Sequence, residues 1–314
     1  MVKSAKNKTI TTDLLTFQEV KQIVNQTQKL VLSPHAQSKI EQCRQYLDHK
    51  LATSDALFYG INTGFGFLQN VRIDKTQIQE LQYNLLQSHA CGVGERVPKE
   101  IVRLMLLLKI QSLAYGHSGV QTATVQRLID FYNADILPIV FNQGSLGASG
   151  DLSPLAHLAL PLIGMGDVYF KNKEMPASEA LKTIGWQPIE LQSKEGLALI
   201  NGTQFMSAYG IHCLLKAQKL LHLADIISAI SCDAFDCSTQ PFLEQIHKIR
   251  AHKGQLKTAE TMRYFTVFQQ ITHYFSRFQL PFVRSDFMNL FPKRLGRTVE
   301  SIARNGGNDV RQLQ

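Results

Sequence analysis

The sequence predicts a mainly α protein: a bundle of long helices behind a small N-terminal α/β region. Three observations carry this. From Asp74 onward, apolar residues recur at helical spacing over long stretches. The segment Pro98 to Tyr115 is apolar nearly all round, which marks a helix buried among others. Glycine and proline, 20 and 10 of 314 residues, form no linker-like stretch, so these segments are free to pack on one another.

The elements follow in order. Phe17 to Leu32 carries Val20, Ile23, Val24, Leu30 and Val31 near helical spacing and reads as a helix. Ser33-Pro34 is an N-cap followed by proline at the first helical position, opening a second helix to about His49. Gly60, Gly64 and Gly66 break the pattern after Leu57, so that stretch is a loop or a strand-flanked turn. Asp74 to His89 is an amphipathic helix, Pro98 to Tyr115 a buried one, and Gln121 to about Asp135 another. A loop leads to a helix from Pro154 through Leu162, then a short strand at Asp167 to Phe170. Glu195 to about Ser231 reads as one very long helix. The division expected is 1–72, 73–264 and an atypical tail, 265–314.

That tail differs in composition. It holds 1 Lys and 6 Arg against 19 Lys and 7 Arg before it, and 7 of the 17 phenylalanines, which points to a segment of different origin or reading frame.

Hydrophobic residues at 44% and charged residues at 18% exclude a disordered or collagen-like chain. The net charge of +8 falls half in residues 1–264 and half in the last fifty, with no dense basic run, so no nucleic-acid partner is expected. Five cysteines, Cys43, Cys91, Cys213, Cys232 and Cys237, include no CxxC, which argues against a disulfide framework and a zinc site. Cys232 and Cys237 read as two buried thiols. His117, His157, His212, His222 and His247 read as residues on helix faces in core or surface roles. The N-terminus is basic without an apolar core, and the run near Ile101–Ile110 is interrupted by Arg103 and Lys109. Neither a secretory signal nor a membrane span is expected, and a cytoplasmic location fits.

The most informative stretch is Gly144-Ser145-Leu146-Gly147-Ala148-Ser149-Gly150-Asp151-Leu152-Ser153-Pro154. No Gly-Lys-Ser/Thr follows, so it is not a phosphate loop. It also lacks the nucleophile-elbow pattern. One reading is a glycine-rich loop capped by Asp151 or Ser153 at a helix start. A second reading is chemical. The Gly150 amide nitrogen has no side chain beside it and reaches back to the Ala148 carbonyl, and flexible neighbours allow the compression that a five-membered ring needs. Loss of one water closes the ring. Loss of the Ser149 hydroxyl as a second water leaves an exocyclic methylidene, an electrophile made from the backbone. The helix near Pro154 points its positive end back at this site.

This loop resembles the cofactor-forming loop of the aromatic amino acid ammonia-lyases, the family of histidine and phenylalanine ammonia-lyases. Tyr59-Gly60-Ile61-Asn62-Thr63-Gly64-Phe65-Gly66 resembles that family's tyrosine loop. Asn201-Gly202-Thr203-Gln204 resembles its asparagine motif on a long helix, and His252-Lys253-Gly254-Gln255 a downstream marker. The four motifs stand in family order over roughly residues 10–264.

The resemblance implies a 4-methylidene-imidazol-5-one (MIO) group formed autocatalytically from Ala148, Ser149 and Gly150, with no external cofactor and no metal. It implies elimination of ammonia to leave an α,β-unsaturated acid. Tyr59 is similar to the catalytic base, and Asn201 would bind the cofactor carbonyl or the substrate. Gly144, Gly147, Asp151 and Gln204 would support the loop. Histidine lyases of the family carry a Ser-His pair ahead of a glycine stretch, as Ser88-His89 does here, so His89 implies L-histidine as substrate and trans-urocanate as product. The partners implied are a small amino acid and other copies of the chain in a homotetramer. The family's later Gln-Asp-x-Tyr-Ser-x-Arg segment has no counterpart here, so the chain resembles a truncated member. A catalytically incompetent or interaction fragment, a phenylalanine or tyrosine lyase, and an aminomutase therefore stay open.

Overall fold

The computed structural model describes residues 7–26, 28–147, 150–250 and 252–277. These divide into two compact units, residues 1–212 and 213–314.

The first unit opens with a parallel pair of strands. β1 (Lys8–Ile10) pairs with β2 (Leu30–Leu32), and α1 (Phe17–Gln26) connects them. The helix expected to reach Leu32 therefore ends earlier, because Leu30, Val31 and Leu32 take a strand partner from far upstream. α2 (Pro34–Thr53) starts as its sequence predicts: Ser33 accepts the Ala36 N–H through its side chain, and Pro34 lies in the first turn. Gly60, at φ +65°, occupies the left-handed region in the loop that follows.

The core forms around α3 (Ile78–His89), α4 (Lys99–Ala114) and α5 (Thr122–Ala134). Met105, Leu106, Leu107 and Ile110 of α4 are fully buried, as expected for a helix apolar on all sides. An antiparallel sheet of β4 (Leu137–Pro138), β6 (Asp167–Phe170) and β7 (Lys173–Pro176) covers one flank. β3 (Val93–Arg96) pairs with β5 (Phe141–Gln143), placing the segment after His89 beside the glycine-rich loop. α6 (Leu152–Ala159) begins two residues before Pro154 and passes into a 3-10 turn, Leu160–Ile163. α7 (Ala177–Ile184) follows β7.

One correction matters for the site. The helix expected from Glu195 to Ser231 is two helices, α8 (Glu195–Ile200) and α9 (Gln204–Ala234). Asn201 is extended and Gly202 has φ +143°, so the chain leaves helical geometry between them. α8 is held at its start by Glu195, which is buried and accepts from Gln121 N, Gln121 Nε2, Thr124 Oγ1 and Gln192 N. Gln82 Oε1 of α3 accepts the Gly196 N–H at 3.0 Å.

The second unit holds the rest of α9, then α10 (Glu244–Lys248) and α11 (Lys253–Arg277). Along α9, Leu214, Leu220, Leu221 and Ile227 are exposed in the single chain. Cys232 is half-buried and Cys237 exposed, so they are not the buried thiol pair that the sequence suggests. His117 lies in the turn after α4, off the helix face predicted for it. Among the described residues, no helix is long and apolar enough to cross a membrane.

Candidate active site

The glycine-rich loop is pinned from both ends. Gly147 and Gly150 form an antiparallel bridge, and Gly150 forms a parallel bridge with Gly202 in the α8–α9 break. The Asp151 N–H donates to the Gly202 carbonyl at 2.8 Å. Gly150 has φ +87°, and a Cβ there would overlap the Gly202 carbonyl, so glycine is required on two grounds. A Cβ on Gly202 would overlap the side chain of Gln204. Gly144, at φ +136°, leaves room for Ser153 Oγ and the Gly92 backbone. Ala148 and Ser149, the two other residues of the cofactor-forming triplet, lie outside the described residues.

Asp151 links the loop to α9. It is 2% exposed and stands at the N-cap position of α6, yet its side chain makes no bond to that helix's first turn. Instead Oδ2 accepts the Met206 N–H at 3.1 Å in the first turn of α9, and Oδ1 accepts from Ser145 Oγ at 3.3 Å. A carboxylate at a helix N-terminus meets its positive end and one of its unpaired N–H groups. Asp151 therefore caps a helix, but not the one its sequence position indicated.

His89 ends α3. Its Nδ1 lies 2.9 Å from the Leu85 carbonyl and 3.2 Å from Ser88 Oγ. A carbonyl only accepts, so Nδ1 carries the proton and the neutral ring keeps Nε2 as an acceptor. Past His89, the Gly92 N–H donates to Nε2 of His157 on α6 at 3.0 Å, and the His157 ring packs edge-on against Phe141. Burial holds the His157 pKa below the ordinary histidine value. Together Ser88, His89, Cys91, Gly144, Leu146, Gly147, Gly150, Leu152 and Ser153 line an open cleft of about 190 Å³.

Tyr59 and Asn201 stand outside that lining, as do Asp151 and Gln204. Tyr59 is 56% exposed, with its ring edge-to-face against Phe65 at 6.0 Å. Its loop is internally braced: Asn62 Oδ1 accepts from Phe58 N and Asn62 Nδ2 donates to Ala56 O, while buried Thr63 accepts from Gly60 N. Gly60 lies against Leu197 of α8, which places the tyrosine loop beside the helix that ends at Asn201. Asn201 Nδ2 donates back to the Leu197 carbonyl at 3.1 Å. Asn201 is thus at a helix end, not midway along the helix predicted for it.

The residues present fit the backbone-derived group. Two buried polar atoms beside the loop, Ser153 Oγ and Gln204 Oε1, have no hydrogen-bond partner among the described residues. Buried polar atoms are paired in nearly all native sites, so both are open to a polar group of such a ring. From the sequence, Gly202 reads only as a member of the asparagine motif, His157 as a helix-face residue and Lys109 as an interruption of an apolar run, and Met206 is not singled out. The signal for Lys109 is that it is the only charged residue between Arg103 and the end of α4.

Residues 15–282 match the family described as aromatic amino acid lyase, and the chain belongs to that family. It is 44% identical over 251 residues to histidine ammonia-lyase of Myxococcus xanthus, covering 80% of this chain and 49% of that protein. It resembles the crystal structure of histidine ammonia-lyase from Trypanosoma cruzi with TM-score 0.74 and 37% identity, over 81% of this chain and 49% of that one. It resembles tyrosine aminomutase from Streptomyces globisporus with TM-score 0.77 and 33% identity, over 82% and 49%. The chain thus spans about half the length of the relatives it matches. The family match continues to residue 282, past the boundary at 264 where the motif resemblance ends.

Proposed function

We propose that this chain carries the cofactor-forming half of a histidine ammonia-lyase, which eliminates ammonia from L-histidine to give trans-urocanate. The observation that carries this reading is the pairing of Gly150 with Gly202 next to His89 and the cleft. It brings the loop, the asparagine motif and the Ser-His pair into one place.

In this reading Ala148, Ser149 and Gly150 close into MIO, an electrophile that draws electrons from the substrate so that a weakly acidic β-proton can leave. The chain's own residues do the rest. Gly150 holds the left-handed backbone that ring closure needs. Gly144 and Gly147 shape the loop, Asp151 ties it to α9, and Gln204 packs over Gly202. Ser153 Oγ offers a buried hydroxyl toward the loop. His89 Nε2 accepts from the substrate imidazole N–H, because Nδ1 is engaged with Leu85. Tyr59 takes the β-proton, and its exposure fits a site closed by further protein. Asn201 orients the substrate or the cofactor carbonyl. The N-terminal region, residues 1–72, supplies the tyrosine, and the helical region, residues 73–264, supplies the loop. In this reading the full architecture is a cytoplasmic homotetramer, as the family resemblance implies.

A second reading, a chain without turnover of its own, is favoured by one observation: Leu214, Leu220 and Leu221 of α9 stand exposed. Identifying the products formed from L-histidine, L-phenylalanine and L-tyrosine decides among these, and no product from any of them supports the second reading. Urocanate from L-histidine supports the lyase. Cinnamate or coumarate in preference moves the substrate to phenylalanine or tyrosine, and a β-amino acid product identifies an aminomutase.

A further inference from the structure

Lys109 is a charged side chain to which the reading above gives no role. It lies on α4 and is 1% exposed, next to the fully buried Leu106, Leu107 and Ile110. Its Nζ donates to the Ala198 carbonyl at 3.2 Å and to the Asn201 carbonyl at 3.0 Å. Both oxygens stand at the C-terminal end of α8. Carbonyls there lose their helical partners because the chain turns extended at Asn201. A lysine amine carries at least two N–H groups in either protonation state, one for each oxygen. The helix's negative end adds to the attraction when the amine is charged.

The second of these bonds reaches the cofactor loop. The Asn201 carbonyl belongs to the same peptide as the Gly202 nitrogen. Gly202 in turn pairs with Gly150 and accepts from the Asp151 N–H. There is no slack in this chain of contacts, since even a methyl group on Gly150 would not fit against Gly202. A displaced turn therefore displaces Gly150.

We infer that Lys109 is a positioning residue for the candidate site: from inside the core it fixes the Asn201–Gly202 turn against which Gly150 is set for ring closure. The consequence for ring closure rests on the proposed function, whereas the link from Lys109 to the turn stands without it. Lys109 acts through the turn, to which its two hydrogen bonds go.

The test uses the 314-residue chain with Lys109→Met, which keeps the stem and removes the donors, and Lys109→Arg, which keeps a cationic donor. Hydrogen–deuterium exchange reads the Asp151 amide, with α5 amides as the control for global folding. Intact mass reads ring closure. In Lys109→Met the Asp151 amide should exchange at least about tenfold faster while α5 stays protected, and the fraction short by two waters should fall. Lys109→Arg should retain protection and mass. Unchanged Asp151 exchange in a folded Lys109→Met protein overturns the inference. If that variant does not fold, the arginine protein decides: retained protection supports the assignment, and a folded protein with an unprotected Asp151 amide overturns it. A wild-type chain at its encoded mass counts against the proposed function, and the exchange result still judges Lys109.

Discussion

Asp151 Oδ2 accepts the Met206 N–H at 3.1 Å, so the residue that ends the cofactor loop caps α9. One carboxylate thereby fixes both the loop and the start of the helix behind it. Asp151→Ala removes a charge-assisted bond and leaves the Met206 N–H without that partner. We expect a loss of about 1.5–3 kcal/mol in denaturant unfolding. Asp151→Asn, which keeps an oxygen acceptor, should lose less. Equal stability of the alanine variant and the wild type would show that the cap contributes nothing.

Lys109 gives the protein a specific pH dependence. Burial pushes its pKa down from 10.5 to about 7, against the opposing pull of Asp151. The folded state therefore binds fewer protons than the unfolded one between these values. The contribution is fully present above 10.5 and is lost as pH falls through about 7. Stability from this group should rise between pH 7 and 10, by at most about 1.4 kcal/mol per pH unit. Lys109→Met should remove that slope. An identical slope in both proteins, measured by unfolding at several pH values, would count against it.

His157 acts at the acid end. Its Nε2 accepts the Gly92 N–H, which only the neutral ring allows, and burial lowers its pKa below 6.5. Its contribution is present above 6.5 and is lost as pH falls through the lowered value. Exchange of the Gly92 amide should accelerate in that acid range beyond its intrinsic rate. In His157→Phe it should be fast throughout and show no such step. A Gly92 amide equally protected in the variant would mean that His157 does not hold this segment.

The chain alone should turn over L-histidine poorly. The chain holds the loop, whereas the Gln-Asp-x-Tyr-Ser-x-Arg segment without counterpart here is the one that, by the family resemblance, would supply a second tyrosine and an arginine for the substrate carboxylate. Losing a charge-assisted bond to the carboxylate weakens binding about tenfold to a hundredfold, and losing a positioned acid–base group slows the rate by about 10²–10⁴. Together these predict a deficit of at least about a thousandfold against a full-length relative assayed in parallel. Comparable turnover would show that residues beyond the matched motifs replace that half. In a form joined to a family C-terminal half, His89→Phe should weaken use of L-histidine relative to L-phenylalanine, and an unchanged ratio would remove His89 from substrate choice.

Much of the fold was legible because it rests on local pattern. The cap at Ser33-Pro34, the largely apolar α4 and the strand Asp167–Phe170 stand where their sequences place them. What was not legible depends on distant partners. Leu30–Leu32 keeps helical spacing and becomes strand because Lys8–Ile10 pairs with it. The break at Asn201–Thr203 is flanked by apolar residues in helical register, Leu199 and Ile200 before it and Phe205 after it, so periodicity runs through it unmarked. Gly202 leaves the helix because Gly150 and Asp151 meet it from another stretch of the chain. For the same reason the motifs named the loop, Asn201 and His89, whereas Lys109 and His157, which hold them from behind, looked like ordinary members of helices.

Intact-mass spectrometry of the purified chain shows whether this backbone makes its own electrophile. The wild-type mass should fall short of the encoded value by two waters, with the loss mapped to the peptide containing Ala148, Ser149 and Gly150, and the Ser149→Ala protein should have its full encoded mass. A folded wild-type chain at its encoded mass would rule out the electrophile and leave the glycine-rich loop with a structural role alone.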